Sequence, residues 1–307
     1  MHSELRDFLA RAGWENAEPE AMQGDASTKE FMRLSDGLRR AVFMKDTPDV
    51  TGRFVNVAAL LNGLGVSAPA IFSQDIEQGY LLMQDLGDDV FAARLAHDPS
   101  QERDLYTLAT DVLLRLGEGP APDLPLYTPQ VMAAQAVEVL PHFAPDVDAA
   151  ALRSELVAAA GALPDCDPVL MLRDYHAENL ILLPRKQGVE RAGLIDFQDA
   201  MCAHPAYDLV SLLQDARRDV SPQIVAECTS RFAACSGIPV AELDTAMALF
   251  GTGRALRILG IFARLAAQQG KTRYLDFVPR VRAHLAANLA HPALKGVRDL
   301  LESIVRP

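Results

Sequence analysis

The rhythm of hydrophobic and polar positions changes near residue 90. Before it, Leu5, Phe8 and Leu9 recur at helical spacing and predict a short amphipathic helix. Between Met22 and Met44 the pattern alternates: Phe31, Arg33 and Ser35 interleave with Met32 and Leu34. Asp36-Gly37 is then a hairpin signal before Arg40-Ala-Val-Phe-Met44. Phe54, Val57, Ala58, Leu60 and Leu61 restore the helical period, which stops at Gly63-Leu-Gly65. Apolar runs at 70–72 and 80–83 predict two more short strands, and Asp85-Leu-Gly87-Asp-Asp ends the series.

Beyond that point helical periodicity dominates, over 103–116, 129–140, 149–160, 222–234, 240–268 and 279–290. The longest of these closes on Gly270-Lys271, a helix stop. One island interrupts the helices: 169–172, 180–183 and 192–195 read as short strands, the last two separated by Pro184-Arg-Lys-Gln-Gly188. The expected architecture is α+β: a small antiparallel-sheet lobe with one helix over 1–86, and a larger, mainly helical lobe over 87–307.

Composition narrows the function. With 29 basic and 41 acidic residues the net charge is −12, spread over both parts, which disfavours nucleic-acid and anionic-membrane partners. No uninterrupted apolar run approaches the ~18 to 20 residues of a membrane span, and the start lacks a basic region followed by an apolar one. A cytoplasmic location is expected, without a protein partner. Cys166, Cys202, Cys228 and Cys235 show no metal-ligand spacing; Cys228 and Cys235 share a helical face and read as small core residues.

The strand island carries the chemistry. Leu172-Arg-Asp-Tyr-His-Ala-Glu-Asn-Leu180 is followed by Leu194-Ile-Asp-Phe-Gln-Asp199. Phosphoryl transfer needs a carboxylate beside the acceptor hydroxyl, and oxygen ligands that hold Mg²⁺ against the triphosphate. Arg173-Asp174-x-x-x-x-Asn179 matches the core of a kinase catalytic loop, and Asp196-Phe197 matches the start of the Asp-Phe-Gly motif.

On these residues the chain resembles the aminoglycoside-phosphotransferase/choline-kinase group of small-molecule kinases, relatives of the protein kinases. Asp174-Tyr-His176-Ala-Glu-Asn179-Leu180, Ile195-Asp196-Phe197 and Pro205-Ala-Tyr-Asp208-Leu209 carry the resemblance. Within the group, Gly24-Asp-Ala-Ser27, Leu82-Met-Gln-Asp-Leu-Gly87, Leu172-Arg-Asp-Tyr-His176 and Leu259-Gly-Ile-Phe-Ala-Arg264 look most like a bacterial set. These are the cell-wall-recycling kinases of N-acetylmuramate and N-acetylglucosamine, which phosphorylate the anomeric hydroxyl.

The resemblance implies a protein-kinase-like two-lobed fold, ATP as co-substrate, Mg²⁺ as cofactor and a small amino sugar as acceptor. It makes Asp174 the base or acceptor-positioning carboxylate and Asn179 and Asp196 the metal ligands. Asp208 becomes a helix cap that supports the loop. Nucleotide contacts are expected from Ser27, Thr28 and Lys45, with Lys29 as a second lysine, and from the segment of Met83, Asp85 and Leu86. Acceptor contacts are expected from Asp174, His176, Asp199, Arg254 and Arg257. His176 also reads as a loop brace, and Arg254 and Arg257 as salt-bridging residues of a long helix. Three departures stand out: the helix around Phe54-Val-Asn56-Val has no clear glutamate to pair with Lys45, Gln198 replaces the glycine after Asp196-Phe197, and Leu172 stands where many relatives have a histidine before the catalytic aspartate. Alternative readings are phosphorylation of an aminoglycoside or small alcohol such as choline, and a degenerate, nucleotide-binding interaction protein.

Overall fold

The computed structural model describes residues 3–22, 30–37 and 39–305. In chain order the elements begin with α1 (Ser3–Arg11), β1 (Glu18–Ala21), β2 (Glu30–Asp36), β3 (Arg39–Lys45), α2 (Pro48–Gly63), β4 (Ile71–Asp75) and β5 (Tyr80–Gln84). Next come α3 (Phe91–His97), α4 (Glu102–Leu116), α5 (Pro129–Glu138), α6 (Ala149–Ala160), β6 (Val169–Met171), β7 (Leu180–Leu182), β8 (Ala192–Leu194) and β9 (Met201–Ala203). The chain ends with α7 (Ala206–Leu213), α8 (Pro222–Ser236), α9 (Val240–Gln269), α10 (Val278–Leu289) and α11 (Lys295–Val305).

Packing divides the chain into two units. One holds the chain up to Asp98 together with Glu178–Ala200; the other holds Pro99–Ala177 and the chain from Met201. The insert joins the first unit through backbone bonds: Leu194 N–H donates to Ser67 O at 2.8 Å and Leu182 N–H to Asp89 O at 2.7 Å. A single division at residue 86 does not anticipate this, because the pairing is long-range and leaves no local pattern.

In the first unit five strands form an antiparallel sheet in the order β1-β2-β3-β5-β4. Asp36 pairs with Arg39 across a two-residue turn, with Gly37 at φ 60° as such a turn requires. Gly79 is equally constrained: at φ 70°, a Cβ there would lie 1.8 Å from Asp46 O. α1 covers one face of the sheet, where Phe8, Phe43 and Tyr80 meet edge to face at 5.3–6.1 Å. α2 opens on Thr47, whose side chain accepts from Val50 N–H, with Pro48 at the first helical position. Phe54, Val57, Ala58 and Leu61 form its buried stripe.

The second unit is helical around α9, where Gly251, Gly253 and Gly260 admit close neighbours. A Cβ at these positions would come within 2.4–2.5 Å of Asn288, Met132 and Val139 side chains. α9 ends on Gly270 at φ 65°, as expected from the Gly-Lys stop. By length and apolarity α9 alone among the described helices is sufficient to span a membrane, yet 72% of its most apolar 18-residue stretch is buried inside the protein. β6 pairs antiparallel with β9, and β7 with β8.

Some details differ from expectation. β1, α3, β9 and α11 are not among the expected elements, and α7 enters there only as the helix that Asp208 is expected to cap. Glu-Pro-Glu-Ala in β1 has no buried face, and α7 is buried on every side, so neither shows a period. Cys228 is buried, but Cys235 is exposed rather than in the core: seven residues on from Cys228, it lies in the last turn of α8, where Ala234 and Ser236 beside it are exposed too.

Candidate active site

The loop that carries Asp174 follows β6 in the second unit. Its conformation rests on Asp208, which is not the helix cap expected of it: Pro205 precedes α7, and Asp208 lies in the first turn with its carboxylate accepting Leu172 N–H at 2.5 Å and Arg173 N–H at 3.1 Å. Ser211 Oγ, one turn further, donates to Arg173 O at 3.3 Å. On the other side Tyr175 is buried and donates through its hydroxyl to Ala109 O at 2.8 Å. Arg173 has φ 71° and Asp196 φ 59°; they are the two described non-glycine residues in the left-handed region. Such backbone costs free energy and persists only where its surroundings over-determine it. Neighbours pinned on both sides therefore present an exposed Asp174.

Burial pushes the Asp208 carboxyl up to about 7, against the two backbone N–H groups that favour its ionised form, and the nearby Asp174 adds to the rise. His176 is buried with Nε2 3.2 Å from an Arg217 guanidinium nitrogen. Burial, then Arg217 and Arg254, hold its pKa well below the usual range, so it is neutral at pH 7 and Nε2 accepts from Arg217.

The other half of the candidate set lies in the first unit. Leu180 and Leu194 are partners in the β7–β8 pair, and Ile195 N–H extends it by donating to Asn179 O at 3.2 Å. Asn179 and Asp196 therefore stand at the same end of one hairpin. Phe197 is buried against Phe54 of α2, with ring centroids 4.6 Å apart. An amide oxygen and a carboxylate are hard donors suited to a small divalent cation that completes its shell with phosphate and water. Among the described residues there is no group of three or more His, Cys, Asp or Glu able to hold a metal ion by themselves. The hairpin end fits Mg²⁺ shared with a nucleotide rather than a closed protein cage.

The remaining expected residues are distributed as follows. Ser27, Thr28 and Lys29 lie outside the described residues. Lys45 pairs with Glu30 and Tyr80, so strand alternation puts it on the Phe43 face that α1 covers, not the face of Met44 and Met83. Met83 is buried; Leu86 packs on Gly193, where a Cβ would be 3.0 Å away. The Asp85 carboxylate is taken by Arg33 at 2.8 Å and by Gly87 N–H at 2.9 Å. Arg254 is buried and donates to Gln214 O at 3.2 Å; Arg257, one turn on, is half-buried. Asp199 pairs with Arg53 of α2 at 3.1 Å. Arg33, Arg53 and Arg217 had no signal in the sequence, since each acts on a partner at least 41 positions away.

Residues 19–234 match the family model described as "Phosphotransferase enzyme family", and the match contains the Asp174 loop, Asn179, Asp196 and Asp208. The chain belongs to this family. The phosphotransferase is 37% identical to an N-acetylmuramate/N-acetylglucosamine kinase of Caulobacter vibrioides, over 97% of this chain and 95% of that one. A protein of the same name from Pseudomonas aeruginosa is 31% identical, over 99% and 94% of the two chains. Among solved structures, a choline kinase from Streptococcus pneumoniae matches with a TM-score of 0.68 at 14% identity, covering 94% of the phosphotransferase and 100% of that chain. That identity speaks for fold alone, and the fold is the expected one: kinase-like α+β with an N-terminal antiparallel sheet and a larger helical part.

Proposed function

We propose that the phosphotransferase moves the γ-phosphoryl group of ATP to the anomeric hydroxyl of N-acetylmuramate and N-acetylglucosamine, with Mg²⁺ as cofactor. The observation that carries this reading is identity across nearly the whole chain to kinases of these two sugars, with Asp174, Asn179 and Asp196 all present.

Asp174 accepts the hydroxyl proton or orients the hydroxyl as its oxygen bonds to the γ-phosphorus. The bond from that phosphorus to the β–γ bridging oxygen breaks, and ADP leaves. Asn179 and Asp196 would hold Mg²⁺, which supplies neutralisation of phosphate charge. Asp208 acts through the loop, fixing where Asp174 points. N-acetylmuramate carries a lactyl carboxylate, and Arg257 is of the chemistry to meet it; neutralising Arg257 is then expected to weaken that sugar more than N-acetylglucosamine.

The test is ADP release on both sugars, kanamycin and choline, with phosphorus NMR of the product. A C1 phosphate couples to the anomeric proton; a C6 phosphate does not. Turnover of kanamycin with both sugars inert would overturn the acceptor. Asp174→Asn is expected to lower kcat by roughly 10²–10⁴-fold while ATP affinity is retained; near-wild-type kcat would remove Asp174 from the mechanism.

A further inference from the structure

The residue after Asp196-Phe197 is a glutamine where the kinase motif has glycine, and its side chain is engaged. Gln198 is 5% exposed, and its Nε2 donates to Asp196 Oδ1 at 3.0 Å. Its backbone carbonyl accepts from Arg53 Nε at 3.3 Å, and the same guanidinium reaches Asp199 Oδ1 at 3.1 Å and Asp49 on its own helix. The next residue of α2, Phe54, is the one packed against Phe197, with the two rings tilted by 32°. Two successive α2 residues thus grip 197–199, and the gripped glutamine holds the carboxylate before it.

Asp196 is exposed, and an exposed aspartate exchanges among rotamers unless a fixed partner selects one. A buried amide is such a partner. Being neutral, it also leaves the full negative charge of the carboxylate toward a cation, which a lysine or arginine in its place would not. The tie also bears on a gap in the motif set. α2 occupies the place of the helix whose glutamate pairs with a lysine in kinases, yet Pro48–Gly63 contains no glutamate. What it offers instead is Arg53, directed at the segment that follows the metal-ligand aspartate.

We propose that Gln198 is a positioning residue for the Asp196 carboxylate, and that Arg53 anchors Gln198 to α2, so that this helix is linked to the metal ligand by an arginine and an amide. The inference rests on reading Asp196 as a ligand of Mg²⁺.

The experiment uses the full chain and a non-hydrolysable ATP analogue, with binding measured by calorimetry across a Mg²⁺ titration and without metal. Partners that orient a metal ligand are worth about 10–100-fold in metal affinity. Gln198→Leu is expected to raise the half-saturating Mg²⁺ concentration about tenfold, and Arg53→Met by a smaller factor, with metal-free analogue binding unchanged. Gln198→Asn, too short to reach Oδ1 but polar and smaller, should behave as Gln198→Leu does and covers the case in which leucine does not fold. Asp196→Ala serves as reference. If it abolishes the Mg²⁺ dependence while both Gln198 variants titrate like wild type, the positioning role is overturned and the metal reading stands. If Asp196→Ala leaves the Mg²⁺ dependence unchanged, both fall. Equal loss of metal-free and metal-linked binding in the Gln198 variants would mean general distortion and would also overturn the role.

Discussion

Asp208→Asn tests whether one buried carboxylate holds the Asp174 loop in place. Asparagine has a single acceptor oxygen, so either Leu172 N–H or Arg173 N–H loses its partner, and a buried unsatisfied donor costs about 1–3 kcal/mol. Against this, burial raises the wild-type carboxyl from the usual range to about 7, which at higher pH is a penalty of roughly 4 kcal/mol that asparagine does not carry. The folded pKa lies above the unfolded one, so the stabilisation from binding the proton is complete below about pH 4 and is lost as pH rises through 7. Between pH 5 and pH 8 the stability of Asp208→Asn relative to wild type should therefore rise by about 3 kcal/mol. Urea unfolding of both proteins at the two pH values measures this, and contributions from histidines cancel in the difference. Activity should move the other way. kcat is expected to fall at least tenfold, with KM for ATP within about twofold, because the loop that presents Asp174 loses a tether. A stability difference that is the same at both pH values, or an unchanged kcat, would refute the reasoning.

Burial holds His204 down to about 4, and its Nδ1 accepts Ala206 N–H at 3.1 Å. A folded pKa below the unfolded value gives stability that is present above about pH 6.5 and lost as pH falls toward 4. His204→Asn keeps an acceptor and should flatten that acid limb in Tm measurements between pH 7 and 4.5; an unaltered limb counts against it. Gly260→Ala places a Cβ 2.4 Å from Val139 Cβ and 2.6 Å from its carbonyl oxygen, and should cost about 1–3 kcal/mol by urea unfolding; a variant as stable as wild type would show the packing to be looser.

What was legible in the chain was what chain order encodes. Asp174, Asn179 and Asp196 sit on a short loop and one hairpin, so their spacing alone put them forward as candidates, and the β2–β3 turn at Asp36-Gly37 was equally local. Residues that act across the fold left no such trace. Arg53 reads as an ordinary surface residue of an amphipathic helix until Asp199, 146 positions later, is seen beside it. Lys45 matched a strand-end lysine by order, yet register, which alternates faces residue by residue, sets it on the side of α1. α7 shows no amphipathic period for another reason: all eight of its residues are buried, and its polar pair, Asp208 and Ser211, faces the Leu172–Arg173 backbone rather than solvent.

The first unit is assembled from two stretches of chain separated by the 99–177 segment. During synthesis the five-stranded sheet and α2 leave the ribosome well before the β7–β8 hairpin, which bonds to the Ser67 and Asp89 loops of the same unit. At about 5–20 residues per second the wait is on the order of 4 to 20 seconds. Through that interval Ser67 O, Asp89 O and the ring of Phe54 await Leu194, Leu182 and Phe197. The nascent sheet unit spends those seconds with open backbone acceptors and an uncovered aromatic. It is the stage at which a ribosome-associated chaperone has most to protect, and at which slowed translation within 99–177 would lengthen the exposure.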